Sequence, residues 1–219
     1  MPPPITPIPR ELLDRANDLL ERLFALDEAV ANAGAFRATL ENLHQRDLGV
    51  LEEPHISAIG MIRAGILRAA IGAIMACLDP SDPRGNRASV GQILELLEDN
   101  ALAAVFPSNA SAAAEASTAL ASVRSEFETL RRDRAFTEGR ALRNGAIAHI
   151  LVSDQPIPAV KYDTFYKLHD AAQKLVTGLY VACGRGKPDF TTHQEKFDRL
   201  AATFWDTYFA GMRATKPQR

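Results

Sequence analysis

Residues 138–149, EGRALRNGAIAH, decide how this chain is read. They lie in a stretch of helical spacing that runs over residues 135–151. Arg143 and Asn144 stand together, and four residues separate them from His149, giving R-N-x-x-x-x-H. Arginine is always charged and grips phosphate oxygens as a planar fork. Histidine titrates near neutral pH, so it can take a proton and return it. Those two side chains are the smallest set that can cut RNA without a metal. Helix geometry limits them, however. Residues six apart differ by about 600° of rotation and roughly 9 Å of rise, which leaves Arg143 and His149 about 120° apart on a straight helix. One chain alone therefore makes a poor site. Two copies about a two-fold axis would bring two arginines and two histidines into one cleft. The small Gly145, Ala146 and Ala148 permit such close helix contact.

Working outward, both flanks read as helix. Upstream, residues 111–130 are alanine-rich, with Leu120, Val123, Phe127 and Leu130 on one side. The run Arg131-Arg132-Asp133-Arg134 leads into the 135–151 helix. The two segments form one helix or meet at a kink, with Gly139 the weakest point. Downstream, residues 153–158 read as a stop and turn. Residues 162–183 form an amphipathic helix closed by Gly184. Thr192 with Glu195 makes a capping box, which opens a last helix to about Met212.

The N-terminal half follows the same grammar. Residues 1–9 carry five prolines and are expected to be disordered. Helical spacing begins at Arg10; Gly34 bends or ends that helix, and residues 35–48 continue the pattern. Pro54 stops it, and Ser57 caps a mostly buried helix over residues 58–78. Its glycines, Gly60, Gly65 and Gly72, let neighbouring helices approach. Residues 79–86 form a loop, and Ser89 with Gln92 caps a short helix. Residues 100–109 are a second connection. The expected fold is all-α: about six or seven helices in a bundle, one domain over residues 10–212, and a loose basic tail over 213–219. Two small domains are the lesser alternative.

The totals set bounds on function. Of 219 residues, 47% are hydrophobic and 24% charged, ordinary for a globular chain with a core. A net charge of -2 and a pI near 6.2 exclude a global polycation, so nucleic-acid binding would need a local basic patch. Cys77 and Cys183 are too few and too far apart for a disulfide framework or zinc knuckle, which suggests a reduced, cytoplasmic setting. No membrane span is expected, because Arg63 and Arg68 break the longest apolar run. The histidines have no metal-ligand spacing, and no glycine-rich phosphate loop is present.

The Arg143-Asn144 pair with His149, late in an all-helical chain, resembles the signature of the HEPN superfamily (higher eukaryotes and prokaryotes nucleotide-binding). The Ala148-His149 pair, then Ser153-Asp154, then a helix bearing Tyr162, Tyr166 and Tyr180, is most similar to its AbiU-like abortive-infection branch. That resemblance implies a HEPN-like helical bundle and metal-independent RNA endonuclease activity without a cofactor. His149 would be the acid/base, Arg143 would bind phosphate across a homodimer cleft, and Asn144 would hold the phosphate or the imidazole. It further implies a toxin or phage-defence effector, with an antitoxin or nucleotidyltransferase partner. The chain departs from the family at Gly145, where relatives often carry a polar or basic residue, so one phosphate or base contact is missing.

Blander readings stand beside these. Arg131, Arg134 and Arg140 extend a phosphate track or simply form a solvated helix face. Asp154 orients His149 or makes a turn before Pro156. Arg63 and Arg68 pair with acids such as Asp79 or face the cleft. Tyr162, Phe165, Tyr166, Tyr180, Phe204, Trp205, Tyr208 and Phe209 have core spacing, with base stacking open to one or two. The alternative for the whole chain is a non-catalytic helical module that binds a nucleotide, RNA or partner protein.

Overall fold

The computed structural model describes residues 8–80, 88–146 and 161–214. Among them the chain is all-α, with eight helices and no strand. These are α1 (Arg10–His44), α2 (Glu53–Cys77), α3 (Val90–Leu96), α4 (Asn100–Ala103), α5 (Ala110–Arg131), α6 (Arg134–Ala146), α7 (Tyr162–Ala182) and α8 (Phe190–Ala214). A 3-10 turn, Leu48–Val50, follows α1. The chain divides into two compact units. One comprises Met1–Glu28, Ala76–Arg132 and Ala171–Pro188; the other comprises Ala29–Met75, Asp133–Asp170 and Asp189–Arg219.

In the first unit, Leu19, Leu23 and Leu26 of α1 recur at four- and three-residue spacing and are fully buried. On the wet side Asp18 and Arg22 pair at 2.8 Å, one turn apart. Val123, Phe127 and Leu130 give α5 its inner stripe. α5 and α7 come close enough that a Cβ on Gly178 would stand 2.4 Å from Val123 Cγ2. Side chains cap the short helices. Ser89 Oγ accepts from the Gln92 amide at 3.3 Å, and Asp99 accepts from Ala101 while holding Arg15 at 2.8 Å. Beyond α7, Gly184 takes φ 60, and the Arg185 amide reaches back to the Tyr180 carbonyl at 2.8 Å.

The second unit is centred on Trp205, which is fully buried with Leu43, Leu51, Ile59 and Phe209 around it. Its indole N–H donates to the Thr39 carbonyl at 3.0 Å, which ties α8 to α1. Val30, Leu40, Ile71, Ile74, Phe165 and Leu168 complete that core from α1, α2 and α7.

Several expected boundaries move, each for a physical reason. α1 runs through Gly34 unbroken, because glycine there serves packing: an added Cβ would meet Gln194 at 3.0 Å. Pro54 does not stop a helix but opens α2, where its missing N–H costs nothing. Asp189, not Thr192, caps α8, accepting from the Thr192 amide at 3.0 Å. Residues 100–109 hold a helix of one turn, capped by Asp99. Among the described residues nothing lies within 4 Å of an added Cβ on Gly60 or Gly65, so neither serves a close approach there. Phe204 is 56% exposed and lies outside the core.

Candidate functional site

Arg143 and Asn144 lie near the end of α6, so what fixes α6 fixes them. α5 and α6 are separate helices, and the break falls at Arg132-Asp133 rather than at Gly139. Asp133 makes the break by accepting from the Ala135 amide at 2.7 Å, an N-cap that satisfies a free donor. Its other oxygen takes Lys167 Nζ at 2.7 Å. One turn on, Glu138 accepts from Thr164 Oγ1 at 3.0 Å and from Arg134 Nε at 2.6 Å. Residue 133 thus meets 167 and residue 138 meets 164, so α6 and α7 run antiparallel. The Lys167 bond holds Asp133 below the usual carboxylate range, and the Arg134 bond does the same for Glu138.

Gly139 has the opposite role from the one its helix propensity suggests. A Cβ there would stand 2.8 Å from Leu168 Cδ1 and 2.9 Å from Met75 Sδ. Glycine lets α6 press directly onto α7 and α2. Phe136 and Leu142 bury the same side. Arg143 follows Phe136 by seven residues, about 20° from the same line on the helix. It therefore leaves the buried stripe at the helix end, is half-buried, and is not a free cation. Asn144, one position further round, is exposed. An added Cβ on Gly145 would meet nothing within 4 Å among the described residues. His149 and Asp154 lie outside the described residues.

The other basic candidates separate by unit. In the second unit, Arg134 pairs with Glu138, and Arg140 is exposed with no ion-pair partner among the described residues. Arg131 belongs to the first unit, where it pairs with Glu128 at 3.1 Å and lies over the Phe127 ring at 6.0 Å. It lines a groove of about 410 Å³ together with Arg124, Glu95, Glu98 and Glu128, a mixed-charge lining rather than a basic phosphate track.

Sequence spacing missed a ladder of rings and guanidinium groups in the second unit. Tyr162 and Tyr166 stack at 6.3 Å, and His44 meets Tyr162 edge-on at 6.2 Å. Arg63 lies over Tyr162 at 5.2 Å and Arg37 over Tyr166 at 5.0 Å. Arg37 also binds Glu41 at 2.8 Å and pairs with Asp170. Arg63 is exposed and has no ion pair among the described residues. The signal was present as tyrosines four apart on one helix face, but which arginines reach them depends on α1 and α2. Burial pushes the Tyr166 hydroxyl up to about 12, and burial also raises Tyr162, so both rings act as neutral surfaces.

The remaining titratable groups are structural. His169 is fully buried, and its Nε2 lies 3.1 Å from the Val30 carbonyl; burial lowers its pKa. Cys77 and Cys183 are buried free thiols, each pushed up to about 12 by burial. Among the described residues no cluster of His, Cys, Asp or Glu is placed to hold a metal ion. The chain matches no protein-family model, no curated protein and no solved structure.

Proposed function

We propose that this chain is a metal-independent RNA endonuclease of the HEPN type. The observation that carries the reading is the R-N-x-x-x-x-H pattern of Arg143, Asn144 and His149 in the sequence, with Arg143 and Asn144 near the end of α6 and the described residues all-α. In this reading the ribose 2′-hydroxyl attacks the adjacent phosphate. His149 of one copy takes the hydroxyl proton, and His149 of a second copy protonates the departing 5′-oxygen. Arg143 steadies the charge on the phosphorane, and Asn144 holds the phosphate or the imidazole. A homodimer cleft supplies both histidines. Support comes from the anchoring of α6, which would hold Arg143 in place during charge development, and from Arg63 and Arg140 in the same unit, which have no ion pair among the described residues. We place the protein in the cytoplasm as a toxin or phage-defence effector, silenced by an antitoxin or nucleotidyltransferase partner.

The test uses purified chain and RNA in excess chelator. Cleavage that leaves 2′,3′-cyclic phosphate ends, abolished in His149→Ala with helicity intact, is the expected result. Wild-type rates in His149→Ala would sink the proposal.

Gly145 favours a second reading, a non-catalytic module that binds a nucleotide, RNA or partner protein. No polar side chain stands beside the Arg143-Asn144 pair there, although the space is open. In that case Arg143→Ala weakens binding and no variant changes RNA cleavage.

A further inference from the structure

α2 is an apolar helix that stays largely exposed among the described residues. Among the described residues it is the one helix long and apolar enough to cross a membrane, yet only 33% of its most apolar window is buried. Met61 is 73% exposed. Gly60 lies beside it with nothing within 4 Å of an added Cβ, and it lacks the positive φ that would call for glycine. That residue weakens the helix without serving the chain itself.

The surrounding residues form a strip. Glu53, Ser57, Gly60, Ala64 and Arg68 fall within about 80° of one another around the helix. All five are exposed. The strip is small in the middle and charged at its ends, with opposite signs. Glu53 receives only a 3.5 Å contact from Ser57, and neither Glu53 nor Arg68 has an ion-pair partner among the described residues. The charge pattern is thus complementary to its own reverse. A second copy laid antiparallel, centred between Gly60 and Met61, sets each Glu53 beside the partner's Arg68. Small residues at the crossing let the backbones approach, and Met61 leaves the water.

We propose that this face of α2 is where two copies of the chain pair antiparallel about a two-fold axis. The RNA reading also asks for a homodimer, joined near the end of α6; the α2 pairing is a separate contact that does not rest on that reading and holds whether or not the chain cleaves RNA. Charge complementarity selects a second copy over a lipid surface, because a bilayer offers Glu53 and Arg68 no fixed partners.

Sedimentation equilibrium of the full chain tests it. Wild type sediments as a dimer. Glu53→Arg and Arg68→Glu each weaken association about tenfold or more, since every substitution acts twice across a two-fold axis. The double variant, with both charges exchanged, recovers association. Met61→Asp weakens it independently of the charge pair. All three substituted positions are exposed, and circular dichroism confirms unchanged helicity. A monomeric wild type overturns the proposal, as do single variants that associate like wild type or a double variant that fails to recover. A monomer that floats with phosphatidylcholine–phosphatidylglycerol vesicles also overturns it, in favour of a membrane. Failure of the RNA reading is separate: a dimer that leaves RNA intact keeps this pairing and loses only the cleavage chemistry.

Discussion

Gly178→Ala probes the closest helix contact in the first unit. The added methyl would stand 2.4 Å from Val123 Cγ2, and 3.9 Å from its Cβ. Valine in a helix keeps one side-chain rotamer about nine times in ten, so Val123 cannot swing aside. α5 and α7 must part instead. Overpacking of this kind costs about 1–3 kcal/mol. Exchanging glycine for alanine inside a helix returns up to about 1 kcal/mol. With the contact so far inside van der Waals distance the clash wins, and the net loss is about 1–2 kcal/mol, or a Tm lower by roughly 2–8 °C for a chain of this size. Gly145→Ala is the control, since it adds the same atom where nothing lies within 4 Å. It should be neutral or stabilising by up to about 1 kcal/mol. Urea titrations followed by far-ultraviolet circular dichroism compare the midpoints at equal slope. Adding Val123→Ala to Gly178→Ala should recover part of the loss, and the double-mutant cycle isolates the contact. Gly178→Ala as stable as wild type, or more so, would refute this packing.

Three further outcomes are expected. His169 is buried with a lowered pKa, whereas the unfolded imidazole binds its proton near pH 6.5, so its contribution is full above about 6.5 and is lost as pH falls below it. The urea midpoint should fall between about pH 7.5 and 5.5, and His169→Gln should flatten that dependence; an equal slope in the variant assigns it elsewhere. Cys77 and Cys183, buried with pKa about 12, should resist an aromatic disulfide reagent at mildly alkaline pH and both react in denaturant. Gly145→Lys places a cation in open space beside Arg143, so RNA binding or cleavage should rise several-fold; no change in either counts against RNA contact at this helix end.

Much of the fold was legible because helix formation is local. The leucine spacing of α1, the Ser89 cap and the Gly184 stop each depend on residues within two turns, and each stands where the spacing puts it. The α5–α6 break was harder. Asp133 read as one member of a basic run, and its capping role needs Lys167, which is distant in sequence, to hold the carboxylate in place. Of the candidate site, the sequence located Arg143 and Asn144 on a helix. It did not show that Phe136, Gly139 and Leu142 set which way that helix faces. The ladder at Tyr162 and Tyr166 was likewise invisible in spacing alone, since Arg37 and Arg63 arrive from other helices.

The glycines show why such roles escape a sequence reading. One letter carries three physical meanings here. Gly184 supplies a left-handed turn, a local property that a following Arg185 amide bond makes readable. Gly34, Gly139 and Gly178 are glycine because another helix occupies the place of their Cβ. Gly60 and Gly65 are glycine with nothing among the described residues within 4 Å of an added Cβ. Helix propensity penalises all five helical positions about equally, so it cannot separate the last two groups. What separates them is the atom opposite, which is set by residues tens of positions away. A helical glycine therefore marks a close approach without saying whether the approaching surface belongs to the same chain. At Gly139 it does; at Gly60 the vacancy is on the outside, which is why the α2 face, rather than the core, is where a second molecule is to be sought.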